Sequence, residues 1–253
     1  MCGFRPTGRL HLGHYFSVIK PGVKGVKVLV ANYHAPEEQN CDESVNALKS
    51  FGVKDIIFQR DVFNPDLFFK LLSISKIGDL RRMTQFKSLE EIDQTAQLMT
   101  YPVLMAHDIA GYDEVYVGED QTQHIQYARK LLRKYNDVYG TNYPMPVAKV
   151  VGGRIRDLQR PEKKMSKSSP QGCLFLDDTS EEISLKIKKA NTNEEGLNNL
   201  RFLYKEFVPN TEIPDSNQKM KEILSEVLIK LSKIPRLHAL NELTRLGQEM
   251  GLY

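Results

Sequence analysis

Apolar and polar positions follow two rhythms along this chain. KVLVAN (27–32) is apolar and β-branched throughout, which predicts a strand buried on both faces. SVNALKSFG (44–52) has helical spacing and closes on Gly52, predicting a helix with a glycine C-cap. DIIFQ (55–59) reads as the next strand, and strand, crossover helix and strand together predict a parallel sheet with right-handed connections. MCGF (1–4), VYV (115–117) and VAKVV (147–151) supply further strands. QTQHIQYARKLLRKYN (121–136) predicts a helix with Ile125, Ala128, Leu131 and Leu132 on one face. Beyond about residue 172 only the 3.6 period remains. It runs through SEEISLKIKKA (180–190), ALNELTRLGQEMGL (239–252) and MKEILSEVLIKLSK (220–233), the last with Ile223, Leu224, Val227, Leu228 and Leu231 in a stripe. The expected class is α/β, a parallel-sheet domain over 1–172 followed by a small all-helical unit over 173–253.

Composition narrows the setting without fixing the function. A chain of 253 residues, 41% hydrophobic and 26% charged, has the make-up of a globular protein with a sizeable core. A net charge of +3 permits a nucleic-acid partner but does not demand one. The three cysteines (Cys2, Cys41, Cys173) are far apart and form no CxxC pair, which argues against a disulfide framework or a zinc site. No apolar run reaches the roughly 20 residues of a membrane span, and no signal peptide is visible. The expected location is the cytoplasm, with no membrane partner.

Two stretches carry candidate chemistry. GRLHLGHYF (8–16) places His11 and His14 on one helix face directly after a Pro-Thr-Gly turn. The pair reads as metal ligands, as a phosphate-binding device on a bare helix N-terminus, or as two polar residues at a solvated helix start. No carboxylate or cysteine set completes a metal shell, so no metal site is expected. Gly8 and Gly13 leave room for a ligand at the backbone. The second stretch, RPEKKMSKSSP (160–170), closes a segment with six bases (Arg154, Arg156, Arg160, Lys163, Lys164, Lys167) against Asp157 and Glu162. Such a field suits a polyphosphate, although a solvated basic loop has the same composition.

Taken together, HLGH and KMSKS in this order on an α/β chain resemble the paired signatures of class I aminoacyl-tRNA synthetases, whose catalytic domain is Rossmann-like. GDLRRMTQFKS (78–88), YPVLMAHDI (101–109) and VGEDQTQHIQYARKL (117–131) resemble blocks of the bacterial-type tryptophanyl-tRNA synthetases. The related tyrosine enzymes carry glutamine where this chain has Met105, and a thioether suits an indole face. The resemblance implies that L-tryptophan is activated by ATP with substrate-borne Mg²⁺, then passed to tRNA(Trp). It implies catalytic roles for His11, His14, Lys164 and Lys167. ATP contacts follow for Arg5, Thr7, Gly8, Gly13, Gly118, Asp120 and Ser166, and also for Lys87 of RMTQFK. The tryptophan pocket then comprises Gly3, His34, Met105, Asp108, Ile109, Val115, Val117 and Gln121, with Asp108 accepting the indole N–H. Plain core packing accounts equally for Met105, Val115 and Val117 when the resemblance is set aside.

The chain departs from that pattern in places. Met1 stands where an aromatic residue is usual, Arg5 where glutamine is common and Ser169 where aspartate often follows KMSKS. The segment after His34 and the helical C-terminal part are abbreviated, and in the family those last helices read the anticodon. The resemblance also implies a homodimer through helices inserted at about 62–110, near Phe68, Phe69, Leu71, Leu72 and Ile74. Two other readings remain at this level: a paralogue acting on tyrosine or a non-tRNA acceptor, and a non-catalytic tRNA-binding protein.

Overall fold

The computed structural model describes residues 1–6, 8–34, 41–88, 90, 92, 94–151 and 155–235. Its strands are β1 (Cys2–Phe4), β2 (Val28–Val30), β3 (Ile56–Phe58), β4 (Glu114–Val117) and β5 (Val147–Val150). The helices begin with α1 (Leu12–His14), which continues through a π-helical turn (Tyr15–Ile19) into α2 (Lys20–Val23), followed by α3 (Cys41–Ser50), α4 (Gln59–Val62) and α5 (Pro65–Ile74). Next come α6 (Ile77–Arg81), α7 (Thr84–Lys87), α8 (Ala96–Asp108), α9 (Thr122–Tyr139), α10 (Ser180–Lys188), α11 (Glu194–Phe207) and α12 (Asn217–Ser232). The chain gathers into two compact units. One is drawn from Met1–Pro6, Gly25–Glu38 and Asp55–Gly153, the other from Thr7–Lys24, Gln39–Lys54 and Arg154–Tyr253.

The first unit holds the sheet, five parallel strands in the order β3-β2-β1-β4-β5. This is the Rossmann-like arrangement expected. Strand order reverses between β1 and β4, and in such sheets ligands collect at the carboxyl ends of the strands beside that reversal. Val28, Leu29 and Val30 are all buried, as an apolar run in a central parallel strand requires. The apolar core of this unit joins Leu29 and Val115 of the sheet to Leu67 and Leu71 of α5, Val103 and Ala106 of α8, and Ile125, Ala128, Leu131 and Leu132 of α9. The α9 face is the one its spacing predicted. The helix runs three residues past Asn136 and stops at Gly140, whose φ of 64° is left-handed.

The second unit is built around the helical run from Leu12 to Val23 and the helices α3, α10, α11 and α12. Each of α10, α11 and α12 starts on a side-chain cap: Thr179 with Glu182 in a capping box, Asn193 and Ser216. Leu224, Leu228 and Leu231 of the predicted α12 stripe are buried, and Ile223 and Val227 half-buried. Phe16 packs its ring 5.3 Å from Phe207 of α11. No spacing argument foresaw α11. The predicted 239–252 helix lies outside the described residues.

Candidate active site

The HLGH and KMSKS segments both belong to the second unit. They are brought together there by backbone pairing through the residues that follow KMSKS. Leu12 N–H donates to Leu174 O at 2.9 Å and Leu176 N–H to Leu10 O at 2.9 Å, so that His11 and Phe175 face each other as an antiparallel bridge. Arg9 fastens the edge of this ladder. Its Nε lies 2.8 Å and its Nη2 also 2.8 Å from the Asp177 carboxylate, and its guanidinium covers the Phe175 ring at 4.1 Å. Asp178 is almost fully buried. It accepts from Phe175 N at 2.9 Å and from Lys186 Nζ at 2.6 Å.

The two histidines hold each other. Nδ1 of His11 accepts from Gly13 N at 3.0 Å, and Nδ1 of His14 accepts from His11 N at 3.1 Å. This pattern closes a capping box made of imidazoles. It corrects the expectation of a bare helix N-terminus: the N–H groups of His11, Leu12 and Gly13 are already engaged. Anion binding by that terminus is therefore not what the segment offers. The same bonds assign the tautomer, since a nitrogen that accepts carries no proton, so each ring has its N–H on Nε2. Burial, with Lys167 and Lys164 nearby, lowers the His11 pKa to about 4. His14 is pushed well below its usual value by burial first, then by His11 and Lys167. Both are neutral donors. Gly13 is required here for space, because a Cβ would lie 2.6 Å from the His11 ring. Gly8 adopts φ +86°, and its carbonyl accepts from Ser44 Oγ at 3.1 Å.

KMSKS sits on a hairpin in which Arg156 bridges Lys164 and Met165 N–H reaches Ile155 O at 3.0 Å. Met165 is buried, Lys164 exposed and Lys167 half-buried, with burial lowering the Lys167 pKa. Ser166 Oγ pairs with Ser168 Oγ at 2.6 Å. Three residues to which sequence reasoning gave no structural part shape this turn. Asp157 accepts from the backbone of Gln159 and Arg160 at 2.9 Å each. Gly172 leaves space for Asp157, whose Oδ1 would lie 1.8 Å from an added Cβ. Asn199 of α11 grips Arg156 by both backbone groups, at 3.1 and 3.0 Å.

In the first unit, Gly3 is exposed although Cys2 and Phe4 beside it are buried. A Cβ on Gly3 would have no heavy atom nearer than Leu29 O at 3.9 Å, so the sheet surface is open above it. Asp108 ends α8 with a side chain 5% exposed. Gln121 donates to Asp120 at 2.9 Å, and Tyr101 OH lies 3.5 Å from Gln121 Oε1. Tyr101 is raised by burial, with Arg5 acting against the rise. Asp120 also stands where Gly118 has no side chain: a Cβ there would be 2.7 Å from Oδ1. Ile109, Val115 and Val117 are buried in the apolar core and Met105 packs against it, so packing by itself explains their burial. Lys87 is exposed at the end of α7. His34 ends a short 3-10 turn, and Thr7 lies outside the described residues. Among the described residues, no three His, Cys, Asp or Glu side chains converge as metal ligands.

Sequence reasoning also missed Gln59 and His107, which both contact Asp108. Their only sequence signal is a polar residue at the end of an apolar stretch, Gln59 after Ile56-Ile57-Phe58 and His107 after Val103–Ala106.

A chain with this sheet, an imidazole-capped helix start and a lysine hairpin belongs to the class I tRNA synthetases: the family model described as tRNA synthetases class I (W and Y) matches residues 1–239. Its relatives within that family include the tryptophan–tRNA ligase of Oceanobacillus iheyensis, 34% identical over 221 residues, an alignment covering 77% of this chain and 68% of that protein. The tryptophanyl-tRNA synthetase of Mycoplasma pneumoniae superposes with a TM-score of 0.83 at 27% identity, over 94% of this chain and 86% of that one. The Campylobacter jejuni synthetase, solved with ADP and tryptophan, superposes with a TM-score of 0.70 at 26% identity, over 98% of this chain and 90% of that one.

Proposed function

We infer that the chain is a tryptophan–tRNA ligase, which joins L-tryptophan to ATP and transfers the aminoacyl group to tRNA(Trp). The observation that carries this reading is the pairing of HLGH with the KMSKS segment inside one compact unit of a chain whose relatives are tryptophan–tRNA ligases. In the first step a tryptophan carboxylate oxygen attacks the α-phosphorus of ATP in line. The P–O bond to pyrophosphate breaks, leaving tryptophanyl-adenylate. No covalent enzyme intermediate is needed, so the protein contributes positioning and charge stabilisation.

Geometry and family resemblance together support the residue roles. His11 and His14 offer neutral Nε2–H donors to phosphate oxygens, while Lys164 and Lys167 carry the positive charge for the departing pyrophosphate. Arg5, Thr7, Gly8, Gly13, Gly118, Asp120, Ser166 and Lys87 are assigned to ATP. The tryptophan side is assigned to Gly3, His34, Met105, Asp108, Ile109, Val115, Val117 and Gln121, with Asp108 accepting the indole N–H. Mg²⁺ enters as the counter-ion of ATP and calls for no protein cage. We keep residues 1–172 as the catalytic domain with inserted dimer-contact helices at about 62–110, and 173–253 as the reduced tRNA-binding part. The ligase reading carries a homodimer and a cytoplasmic setting with it. Among the described residues no helix is long and apolar enough to cross a membrane.

Amino-acid-dependent exchange of pyrophosphate into ATP tests the reading, with tryptophan, tyrosine, phenylalanine and no amino acid in parallel. Exchange with tryptophan alone, followed by charging of tRNA(Trp), is expected. Exchange with tyrosine instead would replace this function with that of a paralogue.

A further inference from the structure

Asp108 is gripped by two side chains that backbone amides hold in turn. Gln59, with no exposed surface, donates from Nε2 to Asp108 Oδ2 at 2.7 Å, and its Oε1 accepts Tyr33 N–H at 2.9 Å. His107, 5% exposed, meets Asp108 Oδ1 through Nδ1 at 3.1 Å, and its Nε2 accepts Asn64 N–H at 2.9 Å. The outer bond of each pair settles the inner one. Flipping the Gln59 amide would set its NH₂ against the Tyr33 N–H, donor to donor. Moving the His107 proton to Nε2 would set it against the Asn64 N–H and leave a lone pair facing the carboxylate. Both side chains therefore point a donor at Asp108, one on each oxygen. The Phe63 and Phe68 rings, at 4.8 and 6.4 Å, wall the imidazole, and in such surroundings each hydrogen bond is worth more than in water.

A carboxylate at a helix end otherwise rotates about its last torsion. Anchors on both oxygens fix its plane and require it to act as an acceptor. We propose that His107 and Gln59 are positioning residues that aim the Asp108 carboxylate at the ring N–H of the amino-acid substrate. They thereby set the selectivity for a ring whose sole polar group is a donor. This rests on the reading of Asp108 as the indole acceptor. All five residues of the network (Tyr33, Gln59, Asn64, His107, Asp108) belong to the sheet-bearing unit. The same network also ties α4 to the end of α8, so the test has to separate aiming from mere support.

The experiment measures pyrophosphate exchange with tryptophan and with its analogue in which sulfur replaces the ring N–H. The wild-type protein is expected to prefer tryptophan by about tenfold or more, the effect of one buried hydrogen bond to a charged group. His107→Phe keeps the ring bulk and loses the donor. It is expected to raise KM for tryptophan about tenfold, leaving kcat, KM for ATP and KM for the sulfur analogue unchanged. His107→Asn, whose amide nitrogen falls near the Nδ1 position, is expected to recover to within about threefold. Gln59→Met is expected to act like His107→Phe. Should the phenylalanine variant fail to fold, His107→Gln moves the donor to the Nε2 side and is expected to lose the preference in the same way. Equal changes for both ligands, or a preference kept by these variants, overturn the proposal. A wild-type protein that does not distinguish the two ligands overturns instead the reading of Asp108 on which it stands.

Discussion

His11 and Asp108 both sit at a helix end, yet they are held in place by opposite means. Around His11 the chain itself does the holding. Leu10 and Leu12 pair with Leu176 and Leu174, and the imidazole caps its own helix. Around Asp108 the holding is done by side chains, with Gln59 and His107 reaching in from β3–α4 and from the preceding residue. Backbone pairing fixes where a segment runs but leaves its exposed side chains replaceable without loss of fold. A side-chain network fixes the chemistry of one atom and fails when any member is lost. Truncations in the signature cluster should therefore cost rate before stability, and those around Asp108 should cost selectivity.

The largest expected effect tests the first half of that contrast. The double variant Lys164→Ala/Lys167→Ala removes two charges from the pyrophosphate side. It should lower tryptophan-dependent exchange by roughly a thousandfold or more. Since Lys164 is exposed and Lys167 half-buried on a hairpin pinned by Asp157 and Asn199, the melting temperature should move by only about 2–3 °C. A cooperative loss of fold in thermal denaturation would show that the lysines support the hairpin.

One side chain in the same unit should behave differently and so sharpen the comparison. Asp178 is buried and takes bonds from Phe175 N and from Lys186, with the Arg9 guanidinium 3.4 Å away. Asp178→Asn places an NH₂ among cations and should cost about 3 kcal/mol in denaturant unfolding. Its neighbour Asp177 is 59% exposed on the side chain, and Asp177→Asn should cost about 0.5 kcal/mol or less despite its shorter contacts to Arg9. Similar costs for the two variants would mean that burial does not govern the ladder.

What the sequence revealed follows the same division. The strand β2 and the apolar face of α9 were legible because burial there depends only on local pattern, apolar runs and 3.6 spacing. Helix α11 was not, because Gly196 and Asn199 interrupt its apolar face. Asn199 is buried for the sake of Arg156, 43 residues earlier. The histidines were legible as a site, yet their helix start was misread as bare because imidazoles are not usual N-caps. Gln59 and His107 stayed silent for a related reason. Their meaning lies in Asp108 and in backbone amides, and for Gln59 that carboxylate is 49 residues away. Periodicity sees faces, and motifs see signatures. Neither sees a polar residue whose partner is remote.

The remaining effect is a pH dependence that should belong to the signature cluster. His11 has a pKa near 4 in the folded protein, against an ordinary value of 6.5. Between those values the unfolded chain binds more protons than the folded one, so stability falls as pH drops from about 6.5 towards 4 and is unaffected above about 7.5. For one such histidine the loss at pH 5 is at most about 2 kcal/mol. His14 adds in the same direction. Urea unfolding at pH 7.5, 6 and 5 reads the slope, and His11→Asn, which retains a cap-forming side chain, should flatten it. Exchange activity is expected to show no histidine limb near 6.5, because both rings are already neutral donors there. An activity limb at that pH, or a stability slope unchanged in His11→Asn, would mean that the imidazoles titrate as exposed groups, and the mutual capping that assigns their Nε2 protons to phosphate would be wrong.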